Sequence, residues 1–414
     1  MSRRWDSGQS NDRRGGCLGC VTVLALLVGV LMGALYLLAP TTIGLTVKAY
    51  TNHAISTIND ALTDKPKDKE SAEADAPVDW YARAHLSEER QQVYDQLLEG
   101  VTNLSKTIAV IHADSQDVSE AYNAMMNDHP ELFWLDGSFS YTYASLLDSV
   151  TVEPGFIVEP EDVPSRRGAI EHEADAVLAA AGTDASEYDI AKLAYEHIAS
   201  TTDYDISAEN NQGIMSVFLG HRSVCAGYAR AYQYLLQRAG LFCAYVEGSI
   251  GSRSEEHAWN LVRIDGAYAF VDPTWADPTY LGESPDAAVD GVIYDYLCVT
   301  SDEIVRDDHV FSNPDMWPVC NSPELDYYHR SGLFFENYDP SALADAFWRE
   351  VEAQGSKVAF KFGTDEAYSQ AVAELDGGQF LREQLLEYAS SRGQDSVRYS
   401  YSVSDSLRIV KLYW

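Results

Sequence analysis

His221–Gly240 reads "HRSVCAGYARAYQYLLQRAG", with a cysteine placed where a helix should begin. Downstream of Cys225 the apolar residues recur at helical spacing, and Gly240 stands where a left-handed cap would close the segment. A thiol in the first turn sits among unpaired backbone N–H groups at the positive end of the helix dipole, which favours its thiolate. Gly227, in the same turn, costs helix propensity and is expected to let other backbone approach closely. By itself such a cysteine is as easily a small core residue; a base within reach would make it a nucleophile.

The stretch "HAWNLVRIDGAYAFVDPTW", His257–Trp275, supplies the base. Two alternating runs flank Asp265-Gly266, the pair favoured in a two-residue type I′ turn. With Ile264 opposite Ala267, His257 falls opposite Thr274 and Asp272 opposite Trp259. His257 and Asp272 then share one face of the hairpin as diagonal neighbours, close enough for their side chains to meet. The aspartate would fix the imidazole tautomer and leave the second ring nitrogen to take the thiol proton. A one-residue slip would put the carboxylate on the opposite face. The other histidines are expected to have no comparable setting. Ser223 and Ser254 lie near these motifs, but neither sits in a G-x-S-x-G elbow, which disfavours a serine hydrolase.

Those two stretches, with their spacing, resemble the transglutaminase-like superfamily of papain-like cysteine enzymes. The pattern is most like its bacterial exported branch, with V-C-x-G-Y-A, H-A-W-N and D-P-T-W motifs, and is specific over Tyr204–Trp275. The resemblance implies Cys225 as nucleophile, His257 as general base and Asp272 as orienting group, with acyl transfer through a thioester to an amine or water. It also implies an oxyanion donor upstream of the cysteine, for which Gln212 is the candidate beside the Cys225 N–H. Tyr228 and Trp259 are expected to line the cleft, and Tyr204 and Asp205 to pack beneath it. No cofactor and no metal is expected: "SPDAAVDG" lacks an ordered calcium-ligand loop.

Outside the motifs, 64 acidic residues against 29 Lys and Arg give a formal charge of −35, which argues against a nucleic-acid partner. From Cys20 to Leu38, "CVTVLALLVGVLMGALYLL" carries no charge and is long enough for a membrane helix. Arg3, Arg4, Arg13 and Arg14 precede it, so the short tail is expected in the cytoplasm and the remainder outside the cell membrane, as a single-pass protein. The expected layout is a tail at 1–16, a transmembrane helix at 17–39, a flexible stalk at 40–77 and an N-terminal α+β unit at 78–164. A catalytic domain at 165–330 and a C-terminal α+β unit at 341–414 complete it. The expected fold is α+β, a cysteine-bearing helix packed on an antiparallel sheet. Of six cysteines, Cys17 and Cys20 flank the apolar run, Cys243 reads as core, and Cys298 and Cys320 leave a disulfide open.

Three functions compete: acyl transfer or hydrolysis at glutamine amides or peptide bonds, a cysteine protease or cell-wall peptide amidase, and a non-catalytic envelope scaffold. The substrate would be a protein or peptide, with cell-wall peptide among the candidates.

Overall fold

The computed structural model describes residues 80–144, 149–251, 255–277, 292–353, 355–375 and 378–414. All belong to one compact unit, Pro77–Trp414. The apolar run at Cys20–Leu38, the stalk, Ser254 and "SPDAAVDG" lie outside the described residues, and among those described no helix is long and apolar enough to cross a membrane.

The chain opens with α1 (Tyr81–Ala84), α2 (Glu88–Thr102), β1 (Ile108–Ile111), α3 (Ser115–Asp128), β2 (Leu135–Ala144) and β3 (Ser149–Phe156). Ser87 caps α2, whose Val93, Tyr94, Leu97 and Val101 are buried along one stripe. Helix α3 begins at Ser115. Asp114 and Asp117 form a reciprocal capping box that satisfies the first turn's amides. The three strands form an antiparallel sheet in the order β1-β3-β2.

Next come α4 (Val163–Ala179), α5 (Glu187–Thr201), β4 (Asp203–Tyr204), α6 (Ile214–Phe218) and β5 (Arg222–Ser223). They lead into α7 (Cys225–Arg238), β6 (Cys243–Ile250), β7 (Glu255–Ile264), β8 (Ala267–Val271), β9 (Leu297–Val299), α8 (Ser301–Arg306) and β10 (His309–Phe311). Five of these strands form one antiparallel sheet in the order β10-β6-β7-β8-β9, so β10 returns to the edge opposite β9. The fold is α+β, as expected. The β7–β8 hairpin turns on Asp265 and Gly266, both at positive φ (52° and 82°), and pairs Ile264 with Ala267 through to Asn260 with Val271.

Helix α7 lies against this sheet and is buried on most sides. Asn260 Nδ2 ties the two layers by donating to the Ala229 carbonyl (3.0 Å). One buried cluster runs from Val93 through α7 to Cys298, and a second joins Phe242, Trp259 and Phe270 to the C-terminal elements. Those elements are α9 (Tyr327–Arg330), β11 (Phe334–Phe335), α10 (Pro340–Glu352), β12 (Lys357–Phe362), α11 (Asp365–Leu375), α12 (Gln379–Ser391), β13 (Ser400–Ser404) and β14 (Ile409–Tyr413). Their sheet has the order β11-β12-β14-β13. Cys225, Cys243, Cys298 and Cys320 are all free thiols, so the disulfide left open above is not formed.

Candidate active site

Cys225 is the first residue of α7, and the residue before it, Val224, offers no side-chain cap. No side-chain oxygen caps the first turn, in which the Gly227 N–H donates to the Val224 carbonyl (2.9 Å), and the dipole's positive end meets the thiol. Local packing fixes this point. The Val224 N–H donates to the Asn211 carbonyl (3.3 Å), which also accepts from Ser223 Oγ (2.8 Å). Ser223 Oγ in turn meets Ser216 Oγ (2.7 Å). Gly227 makes room for that knot: a Cβ there would fall 1.9 Å from Ser223 Oγ. Strand β4 pairs in parallel with β5, which sets Tyr204 opposite Ser223; the Asp205 N–H donates to the Ser223 carbonyl (2.7 Å).

Cys225 is partly exposed, whereas Cys243, Cys298 and Cys320 are buried. Burial pushes the Cys243 thiol well above its ordinary range and raises Cys320 to about 12.

His257, on β7, and Asp272, just past β8, are both buried and joined by an Nε2···Oδ2 contact of 2.7 Å. A carboxylate only accepts, so His257 Nε2 carries a proton and Nδ1 is the nitrogen that exchanges one with the thiol. Burial by itself would lower the His257 pKa; the Asp272 charge and hydrogen bond, with a further hydrogen bond from the Cys225 side, outweigh it and push it up to about 10. Burial would likewise raise Asp272, but His257 and His309 together hold it well below the usual carboxylate range. Its other oxygen, Oδ1, accepts from the Thr274 N–H (2.9 Å) and the Trp275 N–H (3.4 Å). The carboxylate is thereby kept ionised and aimed.

Three expectations need correction. Tyr228 does not line a cleft: it is fully buried, and its hydroxyl lies within hydrogen-bond distance of the Thr202 carbonyl (2.6 Å) and of Asp277 Oδ2 (2.9 Å), tying α7 to neighbouring loops. Trp259 is also fully buried. Its ring backs the imidazole from behind, 6.0 Å from His257 and 5.0 Å from His309. The third concerns His309, which does have a comparable setting: its Nε2 reaches the same Asp272 Oδ2 at 3.1 Å. Gln212 is exposed, donates to Asn211 Oδ1 (3.2 Å), and stands at a cleft of about 230 Å³ that also touches Phe133, Ile157 and Met215.

The ligand atoms of His257, Asp272 and His309 lie within 4.8 Å of one another, a set of types that binds metals. Two ligands on one tetrahedral zinc lie roughly 3.4 Å apart. The 2.7 and 3.1 Å contacts are shorter and are those of hydrogen bonds.

Residues 175–273 match the family model of the transglutaminase-like superfamily. The human kyphoscoliosis peptidase is 23% identical over 153 residues, covering 32% of this chain and 23% of that protein. Among solved structures, a TGase shares 17% identity with a TM-score of 0.25, over 41% of this chain and 50% of its own. A Cytophaga hutchinsonii protein assigned as a candidate cysteine protease shares 10% identity with a TM-score of 0.24, over 34% of this chain and 63% of its own. The chain thus spans less than two thirds of each of these proteins. From the motif residues and the matched span together, the protein carries a transglutaminase-like domain, with Cys225, His257 and Asp272 within or at the edge of residues 175–273.

Proposed function

We propose that this chain is a cysteine acyl-transfer enzyme, anchored in the cell membrane by the Cys20–Leu38 run, with its catalytic part outside. Its substrate is a glutamine side-chain amide or a peptide bond. The observation that carries the reading is the His257–Asp272 pair at 2.7 Å, with its imidazole also engaging the partly exposed Cys225 at the tip of α7.

In the first half-reaction His257 Nδ1 takes the thiol proton and the sulfur attacks the carbonyl carbon. The carbon–nitrogen bond then breaks, and ammonia or an amine leaves with the proton returned by the imidazolium. A thioester on Cys225 remains. A primary amine or water, deprotonated by the same imidazole, attacks it and restores the thiol. The negative oxygen of each tetrahedral intermediate is met by the first-turn amides of α7, with Gln212 as a second donor. Asp272 keeps the imidazole in the required tautomer and stabilises its charged form.

Hydrolysis rather than transamidation is the second reading, favoured by the name of the human relative, a peptidase. Glutamine-containing peptides incubated with the full chain and a primary amine separate the two by mass spectrometry. Amine incorporation, deamidation or chain cleavage that vanishes in Cys225→Ala supports the proposal, and which product dominates chooses between the readings. Turnover undiminished in Cys225→Ala would overturn both.

A further inference from the structure

His309 stands in "DDHVFSN", at the start of the three-residue strand β10. Strand β10 pairs with β6, placing His309 opposite Ile250 at the edge of the sheet remote from β9. That placement depends on Gly248. A Cβ there would lie 2.2 Å from the Val310 carbonyl oxygen and 2.4 Å from the Trp259 ring, so only a glycine lets β10 close down. His309 is then enclosed: Trp275 lies 4.7 Å away, Trp259 5.0 Å, His257 5.6 Å and Tyr296 6.1 Å between ring centroids. The residue is only 1% exposed.

Within this aromatic enclosure its one polar contact goes to the atom that orients the base. Asp272 Oδ2 accepts from His257 Nε2 at 2.7 Å and from His309 Nε2 at 3.1 Å. His309 Nδ1 is buried without a hydrogen-bond partner among the described residues. In such a ring the proton belongs on Nε2, where an acceptor waits. The terminal torsion of an aspartate is soft, so a carboxylate held at one oxygen by two backbone amides can still turn the other away from its imidazole. A second donor on that oxygen, itself locked by packed rings, removes this freedom.

Resting on the cysteine reading above, we propose that His309 is a positioning residue: it pins Asp272 Oδ2 against His257 and so sets the alignment of the base with Cys225. In this role His309 acts through the carboxylate.

The test alkylates the full chain with iodoacetamide across a pH series and maps the adduct on Cys225. His309→Leu keeps the apolar packing and removes the donor, while His309→Gln keeps an N–H. Loss of a hydrogen bond to a charged group predicts that His309→Leu slows Cys225 alkylation at neutral pH about tenfold and displaces its pH profile, with His309→Gln recovering most of the rate. Equal slowing in both variants, or rates within about twofold of the parent with an unshifted profile, would assign His309 to packing and overturn the proposal. Should the variants not accumulate as folded protein, long-range proton–nitrogen NMR of the parent chain decides: a proton on His309 Nε2 supports the proposal, and one on Nδ1 overturns it. If the parent alkylates no faster than His257→Ala, the cysteine reading has failed, and the same NMR measurement still decides the His309–Asp272 bond.

Discussion

Two of the buried charge clusters among the described residues are built differently. At the site, His257 and His309 converge on one oxygen of Asp272, and a partly exposed thiol engages the His257 imidazole. Between α8, the start of α9 and the C-terminal sheet, Lys361 Nζ meets Asp326 Oδ2 at 2.7 Å and Glu303 Oε1 at 2.6 Å, above the ring of Tyr328. There every remaining carboxylate oxygen has a donor. The Tyr328 N–H serves Asp326 Oδ1 (2.7 Å), and the Thr300 N–H and hydroxyl serve Glu303 Oε2 (2.9 and 2.8 Å). The second cluster is closed on itself and joins two parts of the fold. The first leaves one ring nitrogen facing a nucleophile. Buried charge is common to both, so it does not mark chemistry; an imidazole that engages a partly exposed thiol does.

The largest effect that should separate the clusters is on turnover. Asp272→Asn leaves the packing nearly intact but gives His257 a partner that no longer dictates its tautomer, and the amide-exchange assay should fall on the order of 10⁴-fold. Lys361→Met should leave the turnover of folded protein unchanged. Were the two variants to lose turnover equally, the distinction between the clusters would be wrong.

Next in size is stability. Lys361→Met strands two buried carboxylates and should cost about 3–5 kcal/mol in denaturant unfolding. Asp272→Asn, with its neighbours able to adjust their hydrogen bonds, should cost less. The reverse order would make the site, not the inter-sheet ion cluster, the element that holds the fold.

The smallest expected effects lie in the pH dependence of stability, read at one group in each cluster. Burial would raise Glu303, but Lys361 and the Thr300 donors bring it to about 2, below its unfolded value. Its contribution is therefore present above about pH 4.3 and is lost as the pH falls through that folded value. His257 is raised to about 10, so its contribution is complete below the unfolded value near 6.5 and is lost as the pH rises through the folded one. Unfolding midpoints should show the gap between parent and Glu303→Gln closing on the acid side, and that between parent and His257→Gln closing on the alkaline side. Gaps independent of pH would contradict both assignments.

How much of this was legible from the residues follows the range of the interactions. The hairpin register came from Asp265-Gly266, because a type I′ turn determines which residues oppose each other, and Asp272 follows within a few positions. The bounds of α7 were legible from Cys225 at its start and Gly240 past its end, both local signals. Tyr228 was not, because α7 is buried on nearly every side, and helical spacing cannot tell a core face from a cleft face when both are apolar or aromatic. Nor was His309. A three-residue strand carries almost no periodicity, and its placement beside β6 is set by the path of the chain across the whole sheet and by the gap at Gly248. The Lys361 cluster joins residues from α8, the start of α9 and β12, a meeting that no local pattern announces.

The central claim is that His257 activates Cys225 and no other thiol. Treating the folded full chain with a limiting thiol-directed electrophile and mapping every adduct tests it directly. The account predicts a single adduct on Cys225, formed at least about a hundredfold more slowly in His257→Ala. Equal labelling of Cys225 and Cys243, at rates that His257→Ala leaves untouched, would contradict it.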